Sequence, residues 1–452
     1  MLDLQRILVT PEALFTFIPI LIGIGCMVGW WRVTKFKRIV ENVPTSKVRG
    51  VFIGLNEVKG NIVSENSLKT YLSESDSVWY QWSIEERWRK TESYTDKDGK
   101  RKTRTRSGWT TINSGDQQQE FFLKDETGQL LIMPTGADVE PKTTVSKTCS
   151  ASDPIYYGKG PQAAIANSTH QRKFTEKSLC PGDRIYVIGP ARLRDEVALP
   201  MIAEDEFEKY FLISHKSEEQ IVGSRWLKSL FLPFLGLLSA LAIPLILFGV
   251  LNHQDPGETL TKEPLTMLGT ALVFFLFWVS LYLILLFNGL VDVRARLERA
   301  ISLIDIQLKR RYDLIPQLAA CVKGAAGYEK EVQTRIAAAR TAAQNFHSRS
   351  DDRHQTLQTD LPIVGRLMAI MEDYPEIEVD QNYKHLFDQL VDTENRIALA
   401  RSYYNDSLLT LQNRLQKFPD VIVALLFRFE AGTPLPEAPQ DAKTGPPPVD
   451  LG

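Results

Sequence analysis

Three apolar stretches constrain this chain before anything else does. Ala13–Trp31, Leu230–Leu251 and Leu265–Phe287 contain no Asp, Glu, Lys, Arg or His. Each is long enough to cross a hydrocarbon core of roughly 30 Å as a helix. One such stretch could be a buried core helix; three predict that the bilayer is the solvent here. The first stretch lacks the marks of a cleaved leader. Asp3, Arg6 and Glu12 precede it, and it ends in Trp30, Trp31 and Arg32 instead of small residues. An uncleaved anchor is expected, with the paired tryptophans in the interfacial belt.

Flanking basic residues predict one topology. Arg32, Lys35, Lys37 and Arg38 follow the first stretch, Arg225 and Lys228 precede the second, and Arg294, Arg296 and Arg299 follow the third. The short connection 252–264 carries Lys262 against Asp255, Glu258 and Glu263. Positive residues mark the inner face. The N-terminus is therefore expected outside, with residues 32–228 and 288–452 inside.

The chemical inventory points away from catalysis. The four cysteines, Cys26, Cys149, Cys180 and Cys321, form no C-x-x-C pair, so a zinc ribbon, RING finger or thioredoxin motif is not expected. They read as isolated thiols, with a Cys149–Cys180 disulfide as the alternative. The six histidines fall in no metal-ligand spacing, and no nucleophile elbow, phosphate loop or dinucleotide fingerprint occurs. No enzyme activity, cofactor or metal is expected. A net charge of −2 provides no field for nucleic acid.

Residues 32–228 read as β-rich. Val51–Ile62 and Ser77–Trp88 read as strands, Phe121–Leu123 with Leu130–Met133 as a hairpin, and Arg184–Ile188 as a strand closed by Gly189-Pro190. Short strands spaced by turns suit a small barrel or sandwich. Lys100, Arg101, Lys102, Arg104 and Arg106 form a basic loop. It is either a solvated hairpin tip or a contact for anionic lipid heads, worth about 1 kcal/mol per basic side chain. Trp79, Trp82, Trp88 and Trp109 are expected in core packing, with a ligand groove as the alternative. The runs VWYQWSIEERW, FFLKDETGQLLIMPTGADVEP and PGDRIYVIGPARL resemble the GIDE domain of the Mulan-like membrane-anchored E3 ubiquitin ligases. The resemblance covers about residues 13–250 and implies that domain's fold. It does not imply ubiquitin transfer, because the family's RING ligands have no counterpart here.

From Gly289 the period becomes 3.6. Val293, Leu297, Ile301, Ile304, Leu308, Ile315, Leu318 and Val322 form one stripe, on a helix that should continue from the third span. Further helices are expected over 328–344, 361–374 and 382–417, with an apolar piece over 420–429. On the long helix, Arg401 occupies a stripe position and Glu394 lies on the same face. A buried charge must be paired. The expectation is a polar layer joining Asp305 or Asp313 to Arg401, and Glu394 to Arg310 or Arg311, with Lys309 beside them. It serves either as a register-fixing network or as a site for a polar partner.

SLIDIQLKRRYDLIPQLAACVKGAAGYEKEV and ENRIALARSYYNDSLLTLQNRLQKFPDVIVALLF resemble the LemA family over about residues 288–430. That resemblance implies a bacterial, membrane-anchored, antiparallel helical bundle without established enzyme activity; one relative takes part in magnetosome membrane biogenesis. The fold class expected is thus an α+β membrane protein. It comprises an N-terminal tail (1–12), transmembrane helices at 13–31, 229–251 and 265–287, a GIDE-like β-rich domain (32–228), a short loop (252–264), a LemA-like bundle (288–430) and a Pro-rich disordered tail (431–452). The expected role is a non-enzymatic scaffold in the bacterial inner membrane, both folded regions cytoplasmic. Its expected partners are the bilayer, anionic lipid heads, unidentified proteins and a second copy. The alternative is an accessory, substrate-binding component of a ligase-like system.

Overall fold

The computed structural model describes residues 14–95, 101–194, 200–206, 208–252, 257, 261–325 and 381–435. The chain divides into two compact units, one of Thr45–Glu218 and one made of the segments on either side.

The helical unit contains α1 (Leu14–Asn42), α3 (Glu218–Asn252), α4 (Pro264–Ala325), α5 (Gln381–Gln416) and α6 (Asp420–Phe427). The first three are long and apolar enough to cross a membrane. Small residues let them approach, because without a side chain the neighbouring backbone can come close. Gly29 lies against Leu232, Gly23 faces Ser239, and Gly236 leaves room for the Phe274 ring. The Ser239 hydroxyl donates to the Pro19 carbonyl, linking α3 to α1. Trp30 is buried against Trp278 and Tyr282, with ring centroids 5.7 and 6.0 Å away. It is therefore a packing residue between α1 and α4, not a member of an exposed belt.

Helix α4 runs for 62 residues without a break, through Pro316. Its apolar stripe is buried at Val293, Leu297, Ile304, Leu308, Ile315 and Leu318. Helix α5 covers that stripe with Ile397, Tyr404, Leu408 and Leu411. Gly289 of α4 lies beside Arg414, and Arg311 beside Glu394, so α5 runs antiparallel to α4. The helices expected over 328–344 and 361–374 lie outside the described residues. The segment after α6 is held at its start: Asn405 exchanges two hydrogen bonds of 3.0 Å with the Leu435 backbone, and Tyr404 donates to the Thr433 carbonyl. The expectation of a free tail from Ala431 is corrected for these first residues.

The second unit contains β1 (Thr45–Ser46), β2 (Gly54–Val63), β3 (Leu68–Lys69), β4 (Asp76–Ser77), β5 (Trp79–Thr95), β6 (Arg101–Gln118), β7 (Phe121–Lys124), β8 (Gln129–Ile132), β9 (Asp138–Glu140), β10 (Lys142–Ser150), α2 (Pro154–Gly158), β11 (Ser168–Leu179), β12 (Arg184–Leu193), β13 (Pro200–Ile202) and β14 (Leu212–Ser214). β2 pairs with both β7 and β12, and β8 and β13 complete the circuit, so five strands close on themselves. Closure removes the exposed edges that an open sheet would present. The barrel interior is filled by Val58, Ile62, Phe121, Leu123, Ile132, Val187, Ile202 and Ile213. Contrary to expectation, β12 does not stop at Gly189-Pro190. It continues in register opposite Asn56 and Leu55. Gly189 permits this because a Cβ there would lie 2.7 Å from Phe211 and 2.8 Å from Ile202.

A four-stranded antiparallel sheet, β10-β11-β5-β6, extends from the barrel. Trp82 and Trp88 of β5 sit opposite Gly115 and Gly108 of β6, each indole lying over its glycine. Tyr71 stacks on Trp82 at 4.1 Å, and Trp79 packs against the barrel core. Three of the four tryptophans are thus packing residues; Trp109 is largely exposed.

Candidate functional site

The helical unit concentrates its buried charge in two layers. In the first, Asp420 begins α6, immediately after Pro419. Its carboxylate accepts from Arg414 Nη2 at 2.8 Å and Nε at 3.3 Å, and from Arg38 Nη1 at 3.1 Å. Arg38 Nη2 also donates to the Tyr282 hydroxyl at 3.2 Å, and Arg414 Nη1 to Asn42 Oδ1 at 3.2 Å. One carboxylate between two guanidinium groups leaves these groups with a single positive charge. All three side chains are largely withdrawn from water, where pairing matters most because desolvation is expensive. The layer draws together α1, α4, α5 and α6. It sits where the apolar stretches end: Phe287, the last residue of the third stretch, lies 4.7 Å from Phe427 and 5.8 Å from Phe429.

The second layer lies further along the bundle. Arg311 Nε stands 3.1 Å from Glu394 Oε1, with Arg311 fully buried. Arg401 is buried two turns beyond Glu394, and Asp305 is half-buried. Lys309, Arg310 and Asp313 are exposed, so the structure selects Arg311 over Arg310 as the partner of Glu394 and keeps Asp313 out of the layer.

The β unit holds two buried polar clusters that sequence reasoning missed. Arg172, fully buried, grips Glu86 Oε2 through Nε and Nη2 at 3.2 and 3.1 Å. Its remaining donors reach the carbonyls of Tyr156, Pro161 and Ala163 at 2.7–3.0 Å. The guanidinium lies 3.9 Å over the Tyr156 ring, whose hydroxyl donates to Glu86 Oε1. Burial pushes the Glu86 carboxyl up, but hydrogen bonds from Ser168 and Tyr156 and the charge of Arg172 outweigh it, so the carboxyl titrates below its ordinary range. In the barrel, Glu57 accepts from Thr45 and from Tyr186 and pairs with Lys59 at 3.1 Å. Here burial prevails over the Thr45 and Lys59 contacts, and Glu57 titrates above its ordinary range. Every partner of both clusters is satisfied within the fold, the signature of structural networks.

The basic loop is corrected to a strand. Lys100 lies outside the described residues. Arg101, Lys102, Arg104 and Arg106 belong to β6, exposed, in register with Thr95, Tyr94, Glu92 and Lys90 of β5. A pleated ribbon presents them at fixed spacing, and Glu92, paired with Lys90, interrupts the positive field. Cys26, Cys149 and Cys180 are free thiols. Among the described residues no group of His, Cys, Asp and Glu could hold a metal ion.

Similarity to known proteins follows the same division. Residues 300–451 match the model of the LemA family, and residues 91–242 match the GIDE model, described as E3 ubiquitin ligase. Magnetosome protein MamQ of Magnetospirillum gryphiswaldense is 40% identical over 67 residues, covering 15% of this chain and 25% of that protein. Magnetosome proteins MamQ 1 and MamQ 2 of Paramagnetospirillum magneticum are 37% identical over 76 residues, covering 17% of this chain and 28% of each. The chain thus spans about a quarter of the length of the curated relatives it matches. With its three long apolar helices, it is a membrane-associated protein that joins a region similar to the GIDE model to a region similar to the LemA family.

Proposed function

We propose that this chain is a non-catalytic, multi-pass scaffold of the bacterial inner membrane, which gathers partner proteins at the cytoplasmic face. The observation that carries the reading is α4, a single helix that begins in a charge-free apolar stretch and ends in the bundle. A bundle carried on such a rod has no hinge at the membrane surface, which suits a platform better than a mobile catalytic arm. The similarity to magnetosome proteins supports a place in a membrane-bound assembly. The exposed apolar side chains of Phe418, Ile422, Leu425 and Leu426 support the view that α6 returns to the bilayer surface.

The scaffold reading is tested by in vivo cross-linking at the Lys309–Arg311 surface combined with native gel sizing. Recovery of defined complexes is expected; a strict monomer without cross-linked partners would count decisively against it. Fusion reporters at residues 100 and 440 should both register the cytoplasmic side.

A second reading draws on the match of residues 91–242 to a family described as E3 ubiquitin ligase. Here the β unit binds a substrate for a catalytic partner. Co-purification with a zinc-containing partner would favour it over the scaffold.

A further inference from the structure

Between α1, α3 and α4 lies a cavity of about 460 Å³, open on one side, within the ~300–1,000 Å³ range of small-ligand sites. Its walls are carbon almost throughout: Pro19, Gly23 and Met27 from α1, Gly236 from α3, and Phe274 from α4. Two of these five are glycines; the Phe274 ring occupies the space beside Gly236, whereas Gly23 leaves its side of the wall open. Arg32 lines one end. It is exposed, and among the described residues it has no ion-pair partner. From Pro19 to Arg32 is a rise of about 20 Å along α1, a little more than one leaflet of a ~30 Å hydrocarbon core.

An apolar trench the depth of one leaflet, ending in a lone cation, is complementary to an amphiphile with a negative head. A partner helix would fit poorly, because it would force the guanidinium against carbon without a counter-charge. We propose that the groove binds one acyl chain of an anionic phospholipid, with the lipid phosphate held by Arg32. The site rests on the reading above that α1, α3 and α4 span the bilayer.

Gly23 provides the critical variant. A Cβ there meets nothing closer than Ser239 Oγ at 3.9 Å, so Gly23→Leu fills the groove without a backbone clash. Gly25 meets nothing within 4 Å and does not line the groove, so Gly25→Leu is the matched control. The full chain, purified in mild detergent, is exposed to equal phosphatidylglycerol and phosphatidylcholine, and retained lipid is counted by native mass spectrometry. Wild type should retain one phosphatidylglycerol in preference to phosphatidylcholine. Arg32→Gln should lower that retention about fivefold, the worth of one basic group at a membrane surface, and Arg32→Lys should restore most of it. Gly23→Leu should displace both lipids, while Gly25→Leu behaves as wild type. Equal retention of the two lipids by wild type, or unchanged retention in both Arg32→Gln and Gly23→Leu, overturns the site. A dimer that dissociates in Gly23→Leu with no lipid retained would assign the groove to a second copy and also overturns it. Alkaline carbonate extraction separates the two ideas: release of the chain from vesicles overturns the membrane reading itself, whereas lipid-indifference in a chain that resists extraction overturns only the lipid site.

Discussion

Arg38, near the end of α1, and Asp420, at the first residue of α6, form an ion pair at 3.1 Å across 382 positions of sequence. Asp420 is the only carboxylate in contact with both Arg38 and Arg414 among the described pairs. Removing it strands two buried guanidinium groups, whereas removing either arginine leaves the other pair intact. Asp420→Asn should therefore cost about 3–5 kcal/mol of stability, and Arg38→Met clearly less. Unfolding in mixed micelles, followed by circular dichroism, measures both; equal costs would mean that Arg38 contributes as much as the whole layer.

The two buried carboxylates of the β unit should respond to pH in opposite senses. Glu86 is held below its ordinary range, so its contribution is present above that range and disappears as pH falls through the lowered value. The melting gap between wild type and Glu86→Gln should then be widest at neutral pH and close below about pH 4. Glu57 is held above its ordinary range, so its contribution is greatest at low pH and fades as pH rises through the raised value. Glu57→Gln should gain on wild type as the medium becomes less acidic. Melting curves between pH 3 and 8 test both signs.

Arg311 and Glu394 approach to 3.1 Å with the arginine fully buried. A double-mutant cycle with Arg311→Met and Glu394→Gln should give a coupling of about 0.5–3 kcal/mol. The same cycle on Asp305 and Arg401 tests whether those two share the layer. Additive effects in the first cycle would reduce the pair to a coincidence of packing.

The exposed ribbon of Arg101, Lys102, Arg104 and Arg106 should give the compact β unit a weak, salt-sensitive affinity for anionic vesicles, about 1 kcal/mol per basic group near the surface. Flotation of residues 45–218 with phosphatidylglycerol vesicles should weaken steeply above physiological salt. Reversal of all four charges to Glu should abolish it. Binding that ignores salt would point to apolar contact instead.

Much of the architecture was legible because each element carries its own period. The spans announce themselves by the absence of charge, the α4 and α5 stripes by their 3.6 spacing, and the Phe121–Ile132 hairpin by the turn at Gly128. What escaped was long-range pairing. Asp420 reads as a helix-starting residue, and nothing local reveals that Arg38 meets it. Arg414 did offer a signal: it lies three residues after Leu411 on the buried face of α5. Glu86 and Arg172 offered the same kind of signal, since each alternates with a buried neighbour, Ile84 and Phe174, on its strand. The basic run misled because a cluster of like charges reads as a loop, whereas Glu92 and the Trp88–Gly108 pairing sustain a ribbon through it. The choice of a closed barrel over a sandwich was equally hidden, because it depends on β2 finding two partners far apart in sequence.

The continuity of α4 has a mechanical meaning. Seated in a bilayer, its final 38 residues would project about 57 Å at 1.5 Å per residue. A change of ten degrees in the slant of the buried half would sweep the far tip through about 10 Å by the same geometry. Anything that alters how the anchor leans, bilayer thickness included, would then be felt by whatever grips the distal end.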